Sequence, residues 1–283
     1  MAAPAAPRAA RVAHLVQRAL GTPEPPRVRP IGEGGEHHSW WADDAYVVRL
    51  APDRAATARL HREIALRDLV RARSAVPVPA SAAVGEWAPG CGFTVDTRLD
   101  GVSAEVRRVS PAGEAQLASL LRALAAMPVT SAGIPEAPPI EWDALTRRAD
   151  QARRRLPEAP VAPLPPPQSS ASARAPVLAH ADLKGEHLLV RPDGTLAGVL
   201  DWADAEAADP ARDIAGVAIS IGAAAARRVA NAAGHGAATA ARGLHLARCE
   251  TVIRLDDRVH GTDDSPLPLL RAQLRRAWEP VAG

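Results

Sequence analysis

The chain has 283 residues, 47% hydrophobic and 23% charged, enough to bury a full core as one large domain or as two packed lobes. A formal net charge of +2, with no dense basic stripe interleaved with aromatics, argues against nucleic acid as a partner. No apolar run reaches the roughly 18 residues of a membrane span, and Cys91 and Cys249 lack metal-ligand spacing, as expected of reduced thiols in a cytoplasmic protein.

In chain order, the first 20 residues read as an amphipathic helix, because Val12, Leu15, Val16 and Leu20 recur at helical spacing among His14, Gln17 and Arg18. That interruption is unlike a signal-peptide core. Residues 27–51 predict a strand, a glycine-rich turn and two further strands. The turn, GEGGEHHSWW, carries Gly32, Gly34 and Gly35, whose missing side chains let backbone amides approach phosphates. An ordinary hairpin turn is the competing reading. The turn lacks the Gly-Lys-Ser/Thr of a Walker A loop, and the strand after it excludes a dinucleotide fingerprint.

YVVRL puts Tyr46, Val48 and Leu50 on one strand face and Val47 and Arg49 on the other, so Arg49 needs a partner. The helix RLHREIALRDLV offers Glu63, which pairs either with Arg49 or along the helix surface with Arg59 or Arg67. PVPAS at 77–81 opens the next strand, and GFTVDTRLDG at 92–101 supplies another. A helix over 111–127 buries Leu117, Leu120, Leu121 and Leu124 and stops at Pro128; a second runs from Trp142 to Arg155. The proline-rich stretch 156–176 predicts an exposed loop, and helices near 210–233, 237–260 and 266–279 finish the chain.

Residues 178–213, LAHADLKGEHLLVRPDGTLAGVLDWADAEAADPARD, concentrate the chemistry. His180, Asp182 and His187 fall in a turn, followed by two apolar runs, Leu188 to Val190 and Leu196 to Leu200, joined by Pro192, Asp193 and Gly194. A hairpin of that kind returns Asp201 toward the turn, so Asp182, His187 and Asp201 can surround one small volume. Such a grouping suits phosphoryl transfer, which asks a protein mainly to position a hydroxyl, a nucleotide and metal ions. Simpler readings stand beside it: Asp182 as a turn cap, Asp213 as a carboxylate favoured in the first turn of a helix opened by Asp209 and Pro210, and His180 as a structural histidine.

The order His-x-Asp, a ligand five residues on, then a strand ending in Asp resembles the catalytic loop and metal-binding aspartate of the protein-kinase-like fold. More narrowly, HADLKGEHLLV followed by GVLDWADA and DPARD resembles the aminoglycoside phosphotransferase family, which includes macrolide kinases. The resemblance implies an α+β, bilobal protein-kinase-like fold. A small N-terminal antiparallel-sheet lobe over residues 1–98 would bind nucleotide, and a larger, mainly helical C-terminal lobe over 99–283 would carry the catalytic loop and the acceptor site.

Carried over residue by residue, the resemblance makes Asp182 the base that accepts the hydroxyl proton and Lys184, the only lysine, a partner of the moving phosphoryl group. Asp201 becomes the main Mg2+ ligand. His187 stands where most of the superfamily has asparagine; histidine occurs there in macrolide kinases and some aminoglycoside kinases. His180 holds the turn and Asp213 ties down the catalytic-loop backbone. Gly32, Gly34 and Gly35, with Ser39, match the nucleotide-covering loop, Arg49 and Glu63 the phosphate-contacting pair, and the segment from Asp96 to Gly101 the strap beside the purine.

The implied reaction passes the γ-phosphate of ATP or GTP to a hydroxyl of an antibiotic, aminoglycoside-type first, macrolide or basic peptide antibiotic next. The roughly two negative charges added would weaken a drug's hold on RNA and give resistance. Asp204, Glu206, Glu250, Asp256, Asp257, Asp263 and Asp264 are candidates for an acidic acceptor wall. Two other classes remain: a nucleotide-binding pseudoenzyme, suggested by His187 and Arg49, and a metal-dependent phosphohydrolase using HADLKGEH as a ligand cluster.

Overall fold

A computed structural model describes residues 6–32, 37–129, 133–156 and 175–281. Gly34, Gly35 and most of the proline-rich stretch lie outside them. The chain divides into two compact units, Met1–Ala72 with Val78–Asp100, and Arg73–Pro77 with Gly101–Gly283. The fold is α+β, with an antiparallel sheet in the first unit and mostly helices in the second.

In the first unit, β1 (Val28–Pro30), β2 (His38–Ala42), β3 (Tyr46–Leu50), β4 (Ser81–Ala88) and β5 (Cys91–Thr97) form a five-stranded antiparallel sheet in the order β1-β2-β3-β5-β4. Alternation along β3 decides what each face holds. Val48 and Leu50 join Phe93, Val95 and Trp87 beneath α1 (Ala9–Leu20), which contributes Val12, Leu15 and Val16. The helix ends at Gly21, whose φ of 67° suits glycine and whose N–H returns to Gln17. On the other face Arg49 meets α2 (Arg54–Arg71). Asp53 caps that helix, accepting the N–H of Ala56 at 2.8 Å.

The second unit contains β6 (Val102–Ser103), α3 (Pro111–Ala125), α4 (Trp142–Arg155), β7 (Val177–Ala179), β8 (Leu188–Val190), β9 (Leu196–Val199) and β10 (Glu206–Ala208). Helices α5 (Ala211–Ile221), α6 (Ala223–Ala233), α7 (Gly236–His260) and α8 (Leu267–Ala277) follow. The hairpin of β8 and β9 forms, with Gly194 at φ 81° in its turn. Strand β6 extends that hairpin, and β7 pairs with β10.

One expectation fails: the helix read over 210–233 is two helices, broken at Gly222 (φ 104°, ψ 154°). The break has a tertiary cause. The Glu279 carboxylate accepts the N–H of Ala224 at 2.9 Å and caps α6, and a side chain on Gly222 would meet that carboxylate at 2.5 Å. Helix α5 is buried along nearly its whole length. Small residues allow this, since a Cβ on Gly243 of α7 would fall 2.5 Å from Ile214. Cys91 and Cys249 are free and buried, and burial pushes the Cys249 thiol up to about 12. Among the described residues no helix is long and apolar enough to cross a membrane.

Candidate active site

Strand β7 delivers the chain into a reversed turn at His180. The backbone N–H of His180 and that of Ala181 donate to the two oxygens of Asp213, at 3.0 and 2.8 Å. Ala181 has φ 65°, a conformation costly for an L residue, and this two-point grip holds it there. Two more contacts come from the same face of α5, at spacings of three and seven residues from Asp213. Gly216 lets the Leu183 backbone approach to 3.0 Å of where its Cβ would sit, and Ser220 Oγ donates to the Leu183 carbonyl at 2.7 Å. On another side Ser103 Oγ donates to the Gly185 carbonyl at 2.8 Å, and Glu105, held by Arg276, fills the space beside Gly185.

Burial of Asp213 pushes its carboxyl up to about 6, against the pull of the Ala181 and His180 amides. His180 is fully buried, edge-on to Trp202, with Nε2 3.0 Å from the Leu200 carbonyl and Nδ1 facing the Asp182 N–H. Burial first, then the nearby His187, lower it to about 4, so it is neutral and serves as a strut.

The loop so held brings Asp182, Lys184, His187 and Asp201 together. Lys184 Nζ pairs with Asp182 Oδ1, and His187 Nδ1 stands 3.3 Å from Asp182 Oδ2. His187 Nδ1 also lies 2.9 Å from the Asp182 carbonyl, which can only accept, so that nitrogen carries a proton. Nε2 is 3.5 Å from Asp201 Oδ2. Asp201 itself adopts φ 57°, and its side chain is half exposed. Neighbouring donor atoms on an octahedral Mg2+ lie roughly 3 Å apart. Asp201 Oδ2 and His187 Nε2 stand somewhat farther apart than that, and of the two the carboxylate oxygen is the type of ligand Mg2+ prefers. Among the described residues no third acidic, histidine or cysteine side chain completes a protein-only metal cage. A cation held there would draw its remaining ligands from water or phosphate.

In the first unit Arg49 NH1 donates to both oxygens of Glu63, at 3.0 and 2.7 Å. Glu63 is 4% exposed, so it pairs inside the protein, with Arg49 closest and Arg67 Nε at 3.8 Å. Ser39 is the cross-strand partner of Arg49 and shares its face of the sheet. Among the described residues nothing lies within 4 Å of where a Cβ on Gly32 would sit. The acidic wall thins out. Glu206 pairs with Arg212, Asp256 with His260, Asp257 with Arg148 and Asp263 with Arg254. Asp204 and Glu250 differ, because the charges they sense include those of the loop around Asp182. Partial burial and then Asp182 and Asp201 raise the Asp204 carboxyl; burial raises that of Glu250, with Lys184 pulling the other way.

Residues 27–248 match the model of the phosphotransferase enzyme family. The chain belongs to that family. It is an enzyme that transfers a phosphoryl group to an alcohol acceptor. Solved structures of similar fold include the GDP complex of aminoglycoside 2'-phosphotransferase-IIIa, at TM-score 0.69 and 18% identity, covering 96% of this chain and 98% of that one. A GDP and kanamycin complex of APH(2")-IIia aligns at TM-score 0.67 and 20% identity, over 93% and 97% of the two chains. Macrolide 2'-phosphotransferase type I follows at 0.62 and 19%, over 97% and 99%. No curated protein matches by sequence.

Two residues that brace the loop around Asp182 were not singled out by sequence, and a third, Asp96, has surroundings the sequence did not show. Gly216 and Ser220 sit in an apolar helix where small residues look like packing, although their spacing from Asp213 is the signal that exposes a shared face. Asp96, read as the start of the strap, lies 3% exposed near the end of β5 against Arg49 and Arg67.

Proposed function

We propose that this phosphotransferase moves the γ-phosphate of ATP or GTP, with Mg2+, to a hydroxyl of an antibiotic and so gives resistance in the cytoplasm. The observation that carries this reading is the meeting of Asp182, His187 and Asp201 within 3.5 Å steps of one another. In it Asp182 accepts the hydroxyl proton as the phosphoryl group leaves the nucleotide, and Lys184, at the other carboxylate oxygen, faces the charge that moves. Asp201 and His187 hold the cation, which supplies charge neutralisation to the phosphates. Residues 1–98 hold the nucleotide, with Gly32, Gly34, Gly35 and Ser39 covering phosphates and Arg49, steadied by Glu63, contacting them. Residues 99–283 hold the acceptor, with His180 and Asp213 bracing the loop.

Solved relatives bound to GDP, ADP and ATP support a nucleotide co-substrate, and those bound to kanamycin, streptomycin and gentamicin support a cationic acceptor. Asp204 and Glu250, carboxylates in the field of the catalytic loop, suit the ammonium groups of an aminoglycoside. A macrolide is the second reading, favoured by the likeness to macrolide 2'-phosphotransferase type I.

The test is transfer of labelled γ-phosphate to a panel of aminoglycosides and macrolides with Mg2+ and either nucleotide. Asp182→Asn should keep nucleotide affinity and slow transfer by roughly 10²–10⁴, and Asp201→Ala should weaken Mg2+-nucleotide binding in calorimetry. Transfer at the normal rate by Asp182→Asn, or no transfer to any panel member by the wild type, would sink the proposal.

A further inference from the structure

Arg49 is gripped on two sides. While NH1 serves Glu63, Nε donates to Asp96 Oδ2 at 3.0 Å, and NH2 lies at 3.0 Å from the same oxygen. Arg67 closes the figure: its NH2 donates to Asp96 Oδ1 at 3.0 Å and its Nε stands 3.8 Å from Glu63. The four side chains form a ring of two guanidiniums and two carboxylates with no net charge, each carboxylate between two arginines. Local geometry explains the ring. Val47 faces Asp96 and Arg49 faces Thr94 in the β3–β5 register, so Arg49 and Asp96 are diagonal neighbours on one sheet face. Glu63 and Arg67 are one turn apart on the buried stripe of α2 above them.

Asp96 is fixed more firmly than an ion pair alone requires. Ser81 Oγ donates to its Oδ1 at 2.6 Å and Thr94 Oγ1 to its Oδ2 at 3.0 Å. Burial raises its carboxyl, but Arg49 and Arg67 outweigh that and the net shift is downward, so it is ionised. A guanidinium engaged on one edge can still swing about that edge; engaged on two, its plane is set.

We propose that Asp96 is a positioning residue that, with Arg67, fixes the guanidinium of Arg49 for nucleotide phosphate. This rests on the reading of Arg49 as a phosphate contact. It assigns Asp96 a part in nucleotide affinity although it is buried and acts only through Arg49. Preorganised donors bind without the ordering cost that a free side chain carries.

The experiment is a double-mutant cycle on nucleotide KM and acceptor KM, with melting temperature followed for each variant. Asp96→Asn keeps the shape and removes the charge. It should raise nucleotide KM roughly ten- to hundredfold, leave acceptor KM unchanged, and add nothing further in an Arg49→Ala background. Ser81→Ala, a milder cut that removes one anchor of Asp96, should raise nucleotide KM in the same direction by a smaller factor, and it serves where Asp96→Asn does not fold. If Arg49→Ala raises nucleotide KM while Asp96→Asn and Ser81→Ala change only the melting temperature, the positioning role is overturned and the reading of Arg49 survives. If Arg49→Ala leaves nucleotide KM unchanged, both fall.

Discussion

The ring around Arg49 and the loop around Asp182 solve opposite electrostatic problems. In the ring, every charge meets its opposite within 3.8 Å inside the protein, so the set is neutral and rigid. At the loop, the carboxylates of Asp182 and Asp201 gather with a single lysine, and Asp204 lies in their field. There the geometry is set by backbone hydrogen bonds to α5 instead of by paired charges. The contrast teaches where each unit leaves charge unanswered. A region that pairs its own ions offers fixed donors; a region that collects like charges and braces them from behind offers a place for a cation to complete.

The sharpest way to break the contrast is to remove the brace. Asp213→Ala strips one buried and one partly buried N–H group of their acceptor, at roughly 1–3 kcal/mol for a buried one left unpaired, offset in part because a buried carboxylate no longer has to be desolvated. Denaturant unfolding should register the loss. Turnover should fall while nucleotide affinity stays, since the ring lies in the other unit; unchanged turnover would mean the loop needs no anchor. Next in size is Gly216→Val, which forces a side chain into the Leu183 backbone already 3.0 Å from the Cβ site. Overpacking of this kind costs about 1–3 kcal/mol, and turnover should drop at temperatures where the variant is still folded.

A third effect is in pH. His180 is lowered from 6.5 to about 4, so the folded state binds its proton less tightly than the unfolded chain does; its contribution to stability is present above pH 6.5 and lost as pH falls through 4. Asp213 has the opposite sign. Its rise from 3.8 to about 6 gives a contribution present below 3.8 and lost as pH rises through 6. Melting temperatures across this range should therefore fall less steeply with acid in His180→Gln and more steeply in Asp213→Asn than in the wild type. Parallel curves for all three would show that neither group is linked to folding.

Much of this was legible in the chain because it is local. The spacing of His180, Asp182, His187 and Asp201 around a Pro-Asp-Gly turn specifies a hairpin and what it returns to, and alternation along YVVRL isolates Arg49. What could not be read depends on elements distant in sequence. Glu279 lies 57 positions beyond Gly222 and decides that a continuous helical pattern breaks there. Asp96 looks like the polar end of a strand until Arg67 and Ser81 close on it. The acidic candidates were hard to weigh for the same reason, since four of them answer arginines or a histidine that composition alone cannot pair with them.

Lys184 is the chain's sole lysine, and its Nζ rests against the Asp182 carboxylate with 27% of the side chain accessible. Acylating reagents therefore find one side-chain amine in the whole protein, beside Asp182. A fluorophore or isotopic tag can be set there without engineered cysteines. A tag placed there would be counted in a mass spectrum as one adduct.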